Sequence, residues 1–171
     1  VREDVRIGAV KLGMMGTAEI AAAVAGALDG IAAPVVLDPV MIAKGGAPLL
    51  ADDAVAALRA RLLPIATVVT PNLPEAARLI GAEPAETRDC MAAQARALLA
   101  LGPGAVLLKG GHLGGEDSPD LLATREGELW LEGPRVETVH THGTGCTLSS
   151  ALAARLARGE TDLGGLPVDL T

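Results

Sequence analysis

The residues best suited to chemistry fall in one stretch, His140-Thr141-His142-Gly143-Thr144-Gly145-Cys146-Thr147. A strand-like run, Val136 to Val139, leads into it. An apolar-periodic run, Leu148 to Leu156, follows, with Leu148, Leu152 and Leu156 spaced by fours. A small-residue turn therefore opens a helix. Backbone N–H groups at such a turn lack intrahelical partners, and the helix dipole adds partial positive charge there. Glycines let an anion approach the backbone closely, so the stretch suits a phosphate or oxyanion. At its tip sits Cys146, a thiol whose anionic form the same field would stabilise. The run is not a dinucleotide fingerprint, because its sixth position is Leu148, and no Walker-type Gly-x-x-x-x-Gly-Lys-Ser/Thr occurs. A plain helix start with a small thiol is the other reading. A zinc site from His140, His142 and Cys146 would lack an evident fourth ligand, and Cys90 has no ligand pattern around it.

Other polar residues stand where greasy runs end. Asp38 follows Val35-Val36-Leu37, Asn72 follows Ala66 to Val69, and Lys109 follows Ala105 to Leu108. Gly13 and Met14 follow Ile7 to Leu12. Asp38 before Pro39 suits a turn, or a carboxylate for magnesium or its waters. Asn72 and Glu75, three apart at a helix start, suit a cap, or a pair that orients hydrated magnesium at phosphates. Lys109 is either solvated or a point charge for nucleotide phosphate. Met14 and Met15 suit core or a pocket wall.

The elements that must position these residues alternate. The pattern predicts strands at Ile7–Leu12, Val35–Leu37, Ala66–Val69, Ala105–Leu108 and Val136–Val139. It predicts a hairpin of Leu121–Arg125 and Glu128–Leu131 around Glu126-Gly127. Helices are predicted from Thr17 to Asp29, Asp52 to Leu62, Asn72 to Gly81 and Thr87 to Leu101, and after the glycine turn. A loop from Val40 to Pro48 holds Lys44. The fold class is α/β, with a mostly parallel sheet and helices on both faces. In such a sheet, ligands bind beyond the carboxyl ends of the strands, where these polar residues lie.

Composition narrows the function classes. Half of the 171 residues are hydrophobic, and Trp130 is the only aromatic residue, so the core is aliphatic. A net charge of −7 leaves no basic face for nucleic acid. No apolar run approaches a membrane span. The two cysteines, far apart, make no disulfide framework, and the expected location is the cytoplasm.

Taken together, five stretches resemble the hydroxymethylpyrimidine/phosphomethylpyrimidine kinases of thiamine biosynthesis, within the ribokinase-like superfamily. They are Val10-Lys11-Leu12-Gly13-Met14, Leu37-Asp38-Pro39-Val40-Met41, Thr70-Pro71-Asn72-Leu73-Pro74-Glu75-Ala76, Leu108-Lys109-Gly110-Gly111-His112 and His142-Gly143-Thr144-Gly145-Cys146-Thr147-Leu148-Ser149. The resemblance covers about residues 5 to 158, most of the chain.

The resemblance implies ATP-dependent phosphorylation of 4-amino-5-hydroxymethyl-2-methylpyrimidine, then of its monophosphate, with ATP and Mg2+ as cofactors. It implies that Cys146 occupies the position of a catalytic base and also meets the substrate. Gly143, Thr144 and Gly145 would form the anion hole. Lys109, Asn72 and Asp38 would face the nucleotide, Glu75 and Asp38 the metal, and Met14 the pyrimidine. A homodimer is implied as well.

Family members are longer. They begin with a strand and a Gly-rich segment and continue past the last helix. Residues 1–171 are therefore expected to be one ribokinase-like domain, partial at both ends, with apolar sheet edges that a partner or a second copy would cover. The competing expectations are a pyridoxal kinase-like vitamin kinase and a non-catalytic nucleotide-binding fragment. A redox or zinc protein is a third.

Overall fold

The computed structural model describes residues 4–41, 50–136 and 143–162. Among them, six strands form one sheet in sequence order: β1 (Val10–Leu12), β2 (Val35–Leu37), β3 (Val68–Val69), β4 (Ala105–Leu108), β5 (Asp120–Thr124) and β6 (Glu128–Leu131). The first four run parallel, while β5 and β6 return antiparallel as the expected hairpin. Lys11 pairs with Val36, Leu37 with Val69, Val69 with Val106, and Leu108 with Leu121.

Side chains alternate across this sheet, and the alternation divides the core. Val35, Leu37, Val69, Val106, Leu108, Leu121 and Ala123 pack on one face against α1 (Ala18–Leu28), α2 (Asp52–Ala57), α3 (Leu73–Ile80) and α4 (Arg88–Leu99). Val36, Val68, Ala105, Leu107 and Leu122 face α5 (Thr144–Ala157), which lies over β1 and β2. Helices thus cover both faces, as expected. Each fully buried leucine contributes about 2 kcal/mol by leaving water, and with no Phe or Tyr in the chain the aliphatics carry that burden. No helix among the described residues is long and apolar enough to cross a membrane.

Caps mark the helix starts that the sequence announced. Thr17 Oγ1 accepts from the Ile20 amide at 3.3 Å, and Thr87 Oγ1 from the Cys90 amide at 3.2 Å. Helix α3 ends at Gly81, whose φ is 71°. The predicted helix from Asp52 to Leu62 is α-helical only to Ala57. It continues as a π turn, Leu58–Leu62, and closes in a 3-10 turn, Leu63–Ile65, where Pro64 supplies no N–H.

Other boundaries also differ. β1 is confined to Val10–Leu12 and β3 to Val68–Val69, shorter than the apolar runs that contain them. In α5 the buried stripe is Ser149, Leu152, Ala153 and Leu156, while Leu148 is 38% exposed. Spacing by fours drifts around a helix of 3.6 residues per turn, which carries Leu148 off the face. Lys44, His140, His142 and most of the predicted Val136–Val139 strand lie outside the described residues.

Candidate active site

The site begins with a buried acid. Asp38 directly follows β2 and is 2% exposed. Its N–H donates to the Leu12 carbonyl at 2.9 Å, which continues the β1–β2 ladder beyond the strands. Like Val36 two residues earlier, it faces α5, and there Ser149 Oγ lies 3.1 Å from Asp38 Oδ2. A carboxylate in such a place requires positive charge nearby. Lys109 Nζ stands 3.5 Å from Oδ1 and Lys11 Nζ 3.9 Å from Oδ2. Both ammonium groups are mostly enclosed, with side chains 18% and 23% exposed.

The two glycine-rich ends make room for these lysines. A Cβ on Gly145 would lie 3.2 Å from Lys109 Nζ, and one on Gly13 would lie 3.1 Å from Lys11 Nζ. The Lys109 ammonium therefore rests against the first turn of α5. That turn is entered through Gly143, whose φ of 78° favours glycine and whose lack of a side chain leaves the helix without a side-chain cap. Cys146 is exposed in the same turn. Thr147 closes the turn, both its N–H and its Oγ1 donating to the Gly143 carbonyl.

On the far side of Lys109 stands the start of α3. Asn72 and Lys109 form a parallel bridge beyond β3 and β4, and the Lys109 N–H donates to the Pro71 carbonyl at 2.9 Å. Asn72 and Glu75 make a reciprocal capping box. The Glu75 amide donates to Asn72 Oδ1, and the Asn72 amide donates to Glu75 Oε2, each at 2.9 Å. Glu75 is 4% exposed. Burial pushes its carboxyl above the ordinary range and the nearby Asp38 charge adds to this, while the Asn72 amide, Lys109 and the Met41 main chain oppose it.

A raised folded-state pKa in an acid means stability that is full below the unfolded value and is lost as pH rises toward the folded one. Glu75→Gln removes that ionisation yet keeps an oxygen for the Asn72 amide. The stability of Glu75→Gln relative to the parent is therefore expected to improve as pH rises from below 4.5 toward neutrality. Urea midpoints of both proteins at pH 4 and pH 8 check this, and a difference independent of pH would refute it.

The structure brings together Asp38, Asn72, Glu75, Lys109 and the Gly143–Cys146 turn, as the strand-end reading required. Met14 follows β1 beside this group, but its side chain is 56% exposed and Met15 is the buried one of the pair. Four contributors escaped the sequence reading as site residues. Lys11 is the charged residue in an otherwise apolar strand, and its register with Val36 points it toward Asp38. Ser149, one turn beyond Gly145, was visible only as a small residue among others. Asp120 opens β5 and accepts from the Gly110 amide at 2.9 Å. Burial raises its carboxyl pKa, against the Gly110 amide and Lys109. Thr70, fully buried after β3, has an Oγ1 without a hydrogen-bond partner among the described residues. Alternation puts it on the α5 face, between Asp38 and Lys109.

Two further residues shape the rim. His112, beyond Lys109, has its imidazole held below the ordinary range by desolvation in the turn, then by Lys109 and Arg135. Arg135 fastens that turn, donating to the carbonyls of Gly111 at 2.9 Å, Gly115 at 3.0 Å and Leu113. No cluster of three or more His, Cys, Asp or Glu suited to a metal is present among the described residues.

A lysine fixed between a buried carboxylate and an open helix N-terminus is suited to binding and polarising a phosphoryl group. Comparison with known proteins identifies the family. The family model described as phosphomethylpyrimidine kinase matches residues 1–163. The hydroxymethylpyrimidine/phosphomethylpyrimidine kinase of Escherichia coli (strain K12) is 57% identical over 155 residues, covering 90% of this chain and 58% of its own length. Among solved structures, an ADP complex of Bacillus subtilis pyridoxal kinase superposes with a TM-score of 0.85 at 38% identity, over 93% of this chain and 60% of that one. The phosphomethylpyrimidine kinase of Clostridium difficile 630 gives a TM-score of 0.79 at 37% identity, over 92% of this chain and 63% of that one. The fold is ribokinase-like, as in these kinases. The chain spans less than two thirds of the length of each of these relatives, and it belongs to the phosphomethylpyrimidine kinase family.

Proposed function

We propose that this chain carries the phosphoryl-transfer site of a kinase that phosphorylates 4-amino-5-hydroxymethyl-2-methylpyrimidine, and then its monophosphate, at the expense of ATP in thiamine biosynthesis. The observation that carries this reading is the placement of Lys109. Its ammonium lies 3.5 Å from buried Asp38 and against Gly145 in the first turn of α5. Phosphoryl transfer depends on positioning and charge neutralisation more than on covalent chemistry, and this arrangement offers both.

The donors present fit the cofactors that the family implies. Magnesium is held by one or two carboxylates while phosphates and water fill its remaining positions. Asp38 and Glu75 supply such carboxylates, and the Thr70 hydroxyl, unpartnered among the described residues, lies between Asp38 and Lys109. When bound, the ion would neutralise charge on the nucleotide phosphates. Lys109 and the amides of Gly145 and Cys146 would bind the transferring phosphoryl group. Asn72 would orient the metal's waters through Glu75, and Asp38 holds Lys109 in place. Met14 would line the pyrimidine pocket. Gly143 and Thr144 shape the turn that receives the anion.

In this reading Cys146 takes the proton from the substrate hydroxyl as the hydroxyl oxygen bonds to the γ-phosphorus and the bond to ADP breaks. A thiolate is a weak base for an alcohol, so the contribution is moderate. Cys146→Ala is expected to lower kcat roughly a hundredfold, the low end for a positioned general base, while KM changes less. Unchanged kcat would remove Cys146 from the chemistry.

A single domain, a homodimer and a cytoplasmic location belong to the same proposal. The test is incubation of the pyrimidine alcohol with MgATP and mass spectrometry of the products, in which a monophosphate and then a diphosphate should appear. The superposition on pyridoxal kinase favours one second reading, a kinase for pyridoxal. Parallel assays on the two alcohols separate them by the ratio of kcat/KM.

A further inference from the structure

Lys11 has no task in the chemistry above, yet it is a charge placed in a three-residue strand between Val10 and Leu12. Its register with Val36 directs it to the α5 side of the sheet, toward Asp38. Asp38 thereby meets a cation at each oxygen, as well as the Ser149 hydroxyl. One counter-ion is enough to hold a buried carboxylate, and Lys109 makes the shorter contact. Lys109 is also drawn by the Glu75 and Asp120 carboxylates. The contact of Lys11, at 3.9 Å, is looser, and its side chain keeps more exposure. The two ammonium groups also occupy different ends of the cluster. Lys109 rests against Gly145 in the turn proposed for the transferring phosphoryl group. Lys11 rests against Gly13, directly before Met14.

We propose that Lys11 is the specificity-determining cation for the second phosphorylation, binding the phosphomonoester that the pyrimidine monophosphate carries and the alcohol lacks. The inference rests on the function proposed above and assigns a residue that the common chemistry leaves idle. One site that accepts both substrates faces a difference of nearly two negative charges. That added charge would lie near Asp38 and the nucleotide phosphates, where like charges repel. A cation on the acceptor side offsets the repulsion. With the alcohol bound, Lys11 remains on Asp38, and with the monophosphate it turns to the new anion, leaving Lys109 to balance Asp38. The transfer itself is unchanged: a phosphate oxygen of the acceptor bonds to the γ-phosphorus, the bond to ADP breaks, and Lys11 neither gives nor takes a proton.

The test measures kcat/KM with MgATP for the alcohol and for the monophosphate, using the full chain as wild type, Lys11→Met and Lys11→Arg. The Met variant should lose at least tenfold more on the monophosphate than on the alcohol, mainly through KM, and Arg should restore most of the loss. Equal losses on the two substrates would overturn the proposal, since Lys11 would then serve only to hold Asp38.

A second readout needs no variant. Reductive methylation of the wild type, mapped by peptide mass spectrometry, should show Lys11 protected by the monophosphate and not by the alcohol. Equal protection by both, or by neither, would also overturn it. If the wild type phosphorylates neither substrate, the failure is that of the function proposed above, and the methylation pattern still decides the assignment of Lys11.

Discussion

Lys109→Met is expected to lower kcat about a hundredfold, in the range seen when one preorganised group at a developing charge is removed. The variant loses the ammonium that sits between Asp38 and the α5 turn. Among the described residues, the other lysine on Asp38, Lys11, lies at the other carboxylate oxygen against Gly13 and not against the α5 turn. The same change should also destabilise the fold at neutral pH, since Asp38 keeps only the looser Lys11 contact and the Glu75 and Asp120 carboxylates lose their nearby cation. The stability loss has a defined pH dependence. Lys109 lowers the pKa of Glu75 and of Asp120, both already raised by burial. Without it, both folded-state values move further above the unfolded ones. Stability from such groups is present below the unfolded values and is lost as pH rises. The deficit of Lys109→Met should therefore be smallest near pH 4 and largest near pH 8. Urea midpoints across that interval, with turnover at pH 8, provide the check. A full stability loss at pH 4 would assign the effect to lost packing of the lysine stem instead.

The sequence made the candidate site's end of the sheet readable because of how parallel strands work. Each strand delivers its last residue to the same edge, so polar residues that close greasy runs converge without further information. Asp38, Asn72 and Lys109 follow β2, β3 and β4 in that manner, and Glu75 comes with Asn72 through the capping box. What escaped had a different cause. Lys11 lies inside a strand, and its relevance depends on its register with Val36, which no local pattern fixes. Asp120 arrives from the opposite strand direction, at the beginning of β5 rather than at an end. Ser149 acts through the rotation of α5, where the apolar stripe drawn through Leu148 was displaced by one residue. Thr70 directly follows β3, and its hydroxyl, unpartnered among the described residues, is a property of tertiary packing. Helix starts were legible for a local reason, since Thr17, Asn72 and Thr87 act within three residues of themselves. The break of the second helix into π and 3-10 turns depends on packing along Leu58, Leu62 and Leu63, all of which are buried.

The connection between stability and catalysis is tightest at Gly110, and Gly110→Ala should show it. A Cβ there would lie 1.8 Å from the Pro119 carbonyl oxygen, 3.0 Å from its carbon and 3.2 Å from Met91 Cε. The obstacle is backbone, which cannot rotate away as a side chain can. Two chain segments cross at this point, the exit from β4 and the approach to β5, and they are tied by the Gly110 amide on Asp120 Oδ1. Accommodating one methyl group would force them apart, at about 3 kcal/mol or more for overpacking a closed site. For a chain of this length that corresponds to a fall in Tm of about 10 °C. Separation of the segments also shifts Lys109, the preceding residue, from its 3.5 Å contact with Asp38, so kcat should fall together with stability. Gly111→Ala provides the contrast, because among the described residues its Cβ would meet only Ser118 Oγ at 3.5 Å, an ordinary contact. Thermal melts and turnover of the two variants decide the matter: a Gly110→Ala protein with the Tm and kcat of Gly111→Ala would show that the crossing of β4 and β5 yields without cost, and that Lys109 is held by its ion pair alone.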